Sequence, residues 1–372
     1  MTSMFQARSV ALALALFSAA PGVGAQPAPR PTPEAPASAA MTELLTYLQR
    51  QNSTGFILIR DGEVLVQAAW PAPQDAPMFA NLTYGVTSDG VLLEDVASQQ
   101  KSFIAVLVGV AVDRSLLDVD APVSRYLGEG WSRASADQEA RIRVIDLLTM
   151  SSGLDEHFAY VAPAGSVFFY NTPVYAITKD ILTAATGQPL EAITRDWLTT
   201  PLAMSQTAWR QRPAALASVG NATGLVTTPQ DIARFGLMIL NNGLAEDGTR
   251  VISQGQIDAL FQPSDANPAY GRLWWLNGGD HVIRAQGERD EGPLIPTAPA
   301  DLVGAFGALD RRLYIVPSRR MVVVRTGAAA TDRNFDQELW RRLTDAGLAA
   351  APEDGPERRW REPEGPGPRR PD

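Results

Sequence analysis

Two apolar runs flank Asp61-Gly62 in GFILIRDGEVLVQAAW, residues 55–70. An Asp-Gly pair between such runs signals a two-residue hairpin turn, whose central positions both need positive φ. Near the other end, RRLYIVPSRRMVVVRTG (311–327) holds two more strand-like runs around Pro317-Ser318. Next, DRNFDQELWRRLTDAG (332–347) spaces its apolar residues as a helix does and ends at a glycine. Between these ends the pattern is mainly helical, over RIRVIDLLTM (141–150), TPVYAITKDILTAATG (172–187) and TTPQDIARFGLMILNNG (227–243), the last with a threonine placed to cap it. The pattern therefore predicts an α+β fold: an antiparallel sheet built from both chain ends, with a large helical insertion beside it. No internal repeat is present, and residues 41–349 form one domain.

The flanks read differently. Arg8 precedes SVALALALFSAAPGVGA, an apolar stretch with Val23 and Ala25 at the −3 and −1 positions of a signal-peptidase site. Residues 1–25 are read as a cleaved secretory signal, since the run is shorter than the roughly 20 apolar residues a membrane span needs. The expected location is periplasmic or secreted, with no integral span after cleavage. Residues 26–40, QPAPRPTPEAPASAA, form a Pro/Ala linker, and residues 350–372 a Pro/Gly/Arg-rich tail of the kind that stays disordered.

Bulk composition narrows the function. A net charge of −9 with pI near 4.9 argues against nucleic acid as a partner, which would call for clustered Lys and Arg. With no cysteine there is no disulfide, thiol nucleophile or Cys-based metal site. Two histidines, His157 and His281, lie in polar, loop-like stretches without zinc-motif spacing, so neither a metal centre nor any cofactor is expected. Of 32 basic side chains only Lys101 and Lys179 are lysines. Lys179, in YAITKDIL, is expected to point to water.

Lys101 lies in ASQQKSF (97–103), immediately before the apolar IAVLVGVAVD. If a helix runs from about residue 97 to Val112, Ser98 and Lys101 share one face and the amine reaches the hydroxyl. An ammonium against an apolar wall is costly, so burial lowers the lysine pKa and leaves a usable base. A serine in the first helical turn also gains from unpaired N–H groups there, which can stabilise an oxyanion. As a bare spacing Ser-x-x-Lys is common, and a capping serine followed by a solvated lysine is the structural alternative. A second element, GSVFFYNTPVY (165–175), ends an aromatic run at Tyr170 and then turns into a helix. A phenol near a lysine can have its pKa drawn down toward the range of a general base. Tyr175 reads as a core aromatic, and Trp274-Trp275 as strand packing with one face free to line a cleft.

The ordered set ASQQKSF, LLTMSSGL (147–154), YNTPVY (170–175), ATGQPL (185–190), PLAM (201–204), GLVTTPQDIARFG (224–236), YGRLWWL (270–276) and GALDRRLYIVPS (307–318) followed by MVVVRTG resembles the β-lactamase-related serine hydrolases over residues 50–345. That superfamily includes class C β-lactamases, DD-peptidases and related esterases and amidases. The resemblance implies the penicillin-binding-protein-like fold, with the site between an α/β sheet domain and an all-helical domain. It makes Ser98 the acylated nucleophile, Lys101 its proton partner and Tyr170 the base or proton shuttle. Asn171 and Thr172 are its candidates for substrate contact, and Leu309 and Asp310 for the oxyanion strand. The family's Lys-Thr-Gly or His-x-Gly motif has no lysine or histidine in GAFGALDRR (304–312). That departure disfavours tight β-lactam hydrolysis, unless Arg311 or Arg312 faces the cleft and replaces the missing cation. The expected activity is acyl-enzyme hydrolysis of a small ester, amide or peptide. The alternatives are a catalytically weakened binding module of penicillin-binding type, or a true β-lactamase or DD-peptidase.

Overall fold

A computed structural model describes residues 39–349. The expected signal peptide, all but the last two residues of the linker, and the tail lie outside the described residues. Helix α1 (Ala39–Arg50) takes in those last two. Strands β1 (Ser53–Arg60) and β2 (Glu63–Ala69) follow. Between them Asp61 and Gly62 have φ of 54° and 84°, the doubly positive geometry an Asp-Gly turn supplies.

Strands β3 (Thr83–Val86) and β4 (Leu92–Asp95) lead into a 3-10 turn at Ala97–Gln99 and helix α2 (Gln100–Asp113). The helical part includes α3 (Thr172–Ala176), α4 (Thr178–Thr186) and α5 (Pro229–Leu240). Thr228 caps α5 by accepting from the Asp231 N–H, as the sequence predicts. The stretch 141–150 is helical only over Val144–Leu148.

Strands β5 (Ala208–Gln211) and β6 (Thr223–Thr227) join β3 and β4 in a four-stranded sheet, order β3-β4-β6-β5. The chain then makes β7 (Trp275–Leu276), β8 (His281–Ile283) and β9 (Arg289–Glu291). It closes with β10 (Val303–Gly307), β11 (Arg311–Val316), β12 (Met321–Gly327) and helix α6 (Phe335–Asp345).

The main sheet runs β2-β1-β12-β11-β10-β7, so β1 from one chain end pairs with β12 from the other, as predicted. Side chains alternate across it. Val322 and Leu313 meet α5, where Gly236 leaves just enough room: a Cβ there would stand 2.7 Å from Val322 and 2.9 Å from Leu313. Tyr314 and Arg325 face the other way, onto Trp340 and Phe335 of α6. With both faces covered, the central strands need continuous apolar runs, which explains FILI and MVVV.

Helix α2 is buried along nearly its whole length and packs in the core, where Phe103 stacks on Phe235 of α5 at 3.8 Å. A helix apolar on all sides is stable only when enclosed. The architecture is α+β.

Candidate active site

The site begins at the end of β4. Ala97 has φ of 52°, a left-handed conformation that costs a residue with a side chain on the order of 1–3 kcal/mol. Asp95 holds it there, its Oδ1 accepting from the Ala97 N–H at 2.8 Å. The same carboxylate is gripped by Arg212, with Nε to Oδ2 at 2.7 Å and Nη2 to Oδ1 at 2.9 Å. Both partners are buried. Gly224 on β6 makes way for this clamp, because a Cβ there would lie 1.8 Å from Asp95 Oδ2. The turn so formed buries Ala97 and Gln99 and leaves Ser98 half-buried between them.

Lys101, one turn on, donates from Nζ to Ser98 Oγ at 3.0 Å and to Thr172 Oγ1 at 3.3 Å. Burial pulls its pKa well below the ordinary lysine range, and the positive charges of Arg212 and Lys179 pull the same way. Both effects favour the neutral amine over the ammonium. Its Nζ also stands 4.9 Å from the ring centroid of Tyr170 and 4.7 Å from that of Tyr175.

Tyr170 sits in the loop just before α3, hydrogen-bonded to Ser98 through its hydroxyl and stacked on Trp275 at 5.9 Å. Its pKa corrects the sequence-based expectation. Burial pushes the phenol up to about 12, and the Ser98 hydrogen bond opposes this only in part. Lys101, itself disfavoured as a cation, supplies too little positive charge to draw the phenol down. At neutral pH Tyr170 can relay a proton but does not rest as a phenolate. Tyr175 is the core aromatic expected, fully buried with its hydroxyl 3.4 Å from Gln100 Oε1.

Of the two candidates for substrate contact after Tyr170, the structure separates one from the site. Asn171 is buried and caps α3: its Oδ1 accepts from the Val174 N–H at 3.1 Å and its Nδ2 donates to Leu154 O at 2.9 Å. Its amide oxygen and nitrogen each hold a structural contact rather than one to Ser98 or Lys101. Thr172 instead reaches the Lys101 amine.

Across from Ser98 runs the end of β10. Gln99 Nε2 donates to Ala305 O at 3.2 Å, and a Cβ on Gly307 would lie 2.2 Å from Val96 O. Only glycine lets this strand approach the Ser98 turn so closely. Leu309 and Asp310, in the turn to β11, have φ of 63° and 56° and border the same cleft as Ser98 and Tyr170. The Asp310 carboxylate is committed, accepting from Arg312 Nη2 at 2.8 Å and from the Ala330 N–H at 2.9 Å.

This cleft encloses about 470 Å³, with Trp275, Leu294, Ile295 and Phe306 as apolar wall. Neither arginine considered for the missing cation is free. Arg311 is fully buried against Glu94 at 3.1 Å. Arg312 borders the cleft but spends its donors on Asp336, Asp310, Gly307 O and Arg311 O. A cavity of about 530 Å³ elsewhere, bordered by Thr194, Ser205 and Trp209, brings no serine together with a lysine or histidine.

Other expectations resolve as follows. Lys179 does not point to water: it is buried, donating to Asn221 Oδ1 at 2.7 Å, Thr223 O at 3.0 Å and Thr223 Oγ1 at 2.9 Å. Helical spacing placed it correctly on α4 but could not show that β6 covers that face. Trp274 is enclosed by Phe235 and Phe261, while Trp275 lines the cleft. His281 lies on β8 with Nδ1 2.7 Å from Asp280 Oδ1, outside the residues that border the cleft. Among the described residues no group of three or more His, Asp or Glu side chains is placed to hold a metal ion, and no helix is long and apolar enough to cross a membrane. Asp95, Arg212 and Gly307 were missed in the sequence. The only local signal was the unbroken V-G-A-F-G of β10, with glycine where a strand prefers a branched residue.

Comparison with known proteins bears on this arrangement. The β-lactamase family profile matches residues 39–348. Penicillin-binding protein 4 of Amycolatopsis lactamdurans is 26% identical over 317 residues, 69% of this chain and 77% of that one. The 6-aminohexanoate-dimer hydrolase of Paenarthrobacter ureafaciens is 24% identical over 289 residues, 64% of this chain and 68% of that one. A solved β-lactamase structure from Mycobacterium bovis superposes with a TM-score of 0.58 at 17% identity, covering 83% of this chain and 98% of that one, a likeness of fold.

Proposed function

The chain belongs to the β-lactamase family, and from that premise we propose that it is an exported serine hydrolase forming an acyl-enzyme on Ser98 with an uncharged ester or amide. The observation that carries the reading is the convergence of Ser98 Oγ, the Lys101 amine and the Tyr170 hydroxyl on one cleft, with Thr172 steadying the amine.

In acylation, the Lys101 amine accepts the Ser98 proton as Oγ adds to the substrate carbonyl carbon. The negative oxygen is stabilised by the Ser98 N–H at the start of the helical turn and by backbone N–H groups of the β10–β11 turn around Leu309 and Asp310. Tyr170 then gives its proton to the leaving oxygen or nitrogen and recovers one from the Lys101 ammonium. The bond from the carbonyl carbon to the leaving group breaks, an alcohol or amine departs, and the acyl group remains on Ser98. Water attacking along the reverse route, with the same two groups moving its proton, releases the acid.

The cleft favours an uncharged acyl group. Burying a substrate carboxylate without a partner costs several kcal/mol; Arg311 and Arg312 are both engaged, and Arg284, which also borders the cleft, is paired with Asp290 at 2.8 Å. The apolar wall suits aliphatic or aromatic acyl chains instead. This argues against β-lactams and D-Ala-D-Ala peptides, and the relative named for a 6-aminohexanoate dimer keeps amides among the substrates. Export rests on residues 1–25, with the periplasm or the medium as destination; N-terminal sequencing of the secreted protein should begin at Gln26. A panel of short and long p-nitrophenyl esters, linear amides and a chromogenic cephalosporin tests the substrate class. Neutral esters should turn over, and a cephalosporin hydrolysed faster than all of them would contradict the argument from the cleft.

A further inference from the structure

The chain's two lysines meet at one aromatic ring. Lys179 Nζ is 5.8 Å from the Tyr175 centroid and 4.7 Å from that of Trp209, and Lys101 Nζ is 4.7 Å from Tyr175. The two nitrogens are thus no more than about 10.5 Å apart, in an interior where like charges act several-fold more strongly on each other than in water.

The surroundings of Lys179 explain why its charge is felt. Its three donors go to the Asn221 amide oxygen and to the carbonyl and hydroxyl of Thr223, all neutral. The ionisable groups around it are Asp180 on its own helix, Asp95 and Arg212 by the nucleophile turn, Tyr175 on α3 and Lys101 on α2. Asp180 is exposed. Asp95 is spent on Arg212, so no carboxylate cancels Lys179 directly.

We propose that Lys179 is a positioning residue for acylation that acts through Lys101: its ammonium, held by Asn221 and Thr223 against the shared Tyr175 ring, keeps the proton off the Lys101 amine. The inference rests on the reading of Lys101 as the base. Burial first, then Arg212, draws the pKa of Lys179 down to about 7, with Asp95 and Asp180 opposing. It carries its proton mainly below that pH, where Lys101 most needs help to remain an amine. Its effect therefore extends acylation toward lower pH.

The test follows the rate of Ser98 labelling by a fluorophosphonate from acid to alkaline pH. Two variants are compared with wild type: Lys179→Met, which removes the charge, and Asn221→Asp, which keeps the packing but sets a carboxylate on the ammonium. Each should move the acid limb to higher pH, slowing labelling about tenfold on that limb, as one like charge at this separation implies. The alkaline plateau should stay within about twofold of wild type. Lys179→Arg should keep the wild-type limb. If Lys179→Met fails to fold, Asn221→Asp decides alone. A purely structural role predicts a uniform loss at every pH with the limb unmoved, and that result in a folded variant overturns the inference. A wild type that forms no Ser98 adduct overturns this inference and the acyl-enzyme reading together. A Ser98 adduct with an unmoved limb in the variants overturns this inference alone.

Discussion

Replacing Arg212 with methionine removes two charge-assisted hydrogen bonds, at 2.7 and 2.9 Å, from a carboxylate whose side chain has no solvent exposure. Arg212 itself is 6% exposed, so screening by water offers little relief. Breaking a buried pair from one side costs about 3–5 kcal/mol, because the surviving charge stays desolvated. For a domain of about 310 residues, with an unfolding entropy of roughly 0.65 kcal/mol/K, that corresponds to a fall in Tm of about 5–8 °C. The kinetic consequence is separate: Asp95 also holds Ala97 at positive φ, so a carboxylate that shifts or takes up a proton lets the Ser98 turn relax. Fluorophosphonate labelling, read on the alkaline plateau so that lost charge near Lys101 does not intrude, should slow at least about tenfold. Adding Asp95→Asn should recover part of the stability, since a neutral amide oxygen still accepts the Ala97 N–H without a buried charge. Thermal melts and labelling rates of the two single variants and the double variant form the assay. A loss under about 1 kcal/mol in Arg212→Met, with labelling unchanged, would show that the clamp neither stabilises the fold nor shapes the Ser98 turn.

Four further outcomes follow from the site. Lys101→Arg keeps a cation but has no neutral form near pH 7, so acylation should fall at least ~10²-fold; wild-type labelling should fall as pH drops through the depressed lysine pKa, and near-wild-type labelling by the variant would remove Lys101 from the mechanism. Tyr170→Phe should lose ~10²-fold or more in turnover with an unchanged Tm, while Tyr175→Phe should keep turnover, and the reverse ranking would mean the proton relay is misassigned. Wild type should show no alkaline decline from Tyr170 below about pH 10, because its phenol is pushed up to about 12. Gly307→Ala sets a Cβ against the Val96 carbonyl, so turnover and Tm should both fall; full activity with a wild-type Tm would show that β10 has room to shift.

What the sequence revealed and what it hid divide by range. Ser98 and Lys101 are three residues apart, and the Asp61-Gly62 turn needs only its own two residues, so local rules suffice for both. The sheet built from both ends was legible because β1 and β12 are each long, apolar and covered on both faces. Strands β3 to β6 have only four or five residues each and mixed polarity, too little for a period to emerge. The Asp95–Arg212 clamp joins positions 117 residues apart, and no local pattern announces it. Lys179 was misplaced because an amphipathic helix was assumed to turn its charge outward, whereas Thr223 of β6 and Asn221 just before it offer three neutral acceptors inside. Asn171 was assigned by motif position, although an asparagine before a helix is at least as often its cap. The Tyr170 pKa depended on burial of the whole cleft, which spacing cannot report.

The most direct test is intact-mass measurement of purified protein after exposure to a fluorophosphonate or an activated ester, followed by peptide mapping. A single adduct on Ser98 in wild type, absent from Ser98→Ala, is the predicted result. An unmodified wild type, or an adduct that persists in Ser98→Ala, would contradict the acyl-enzyme account.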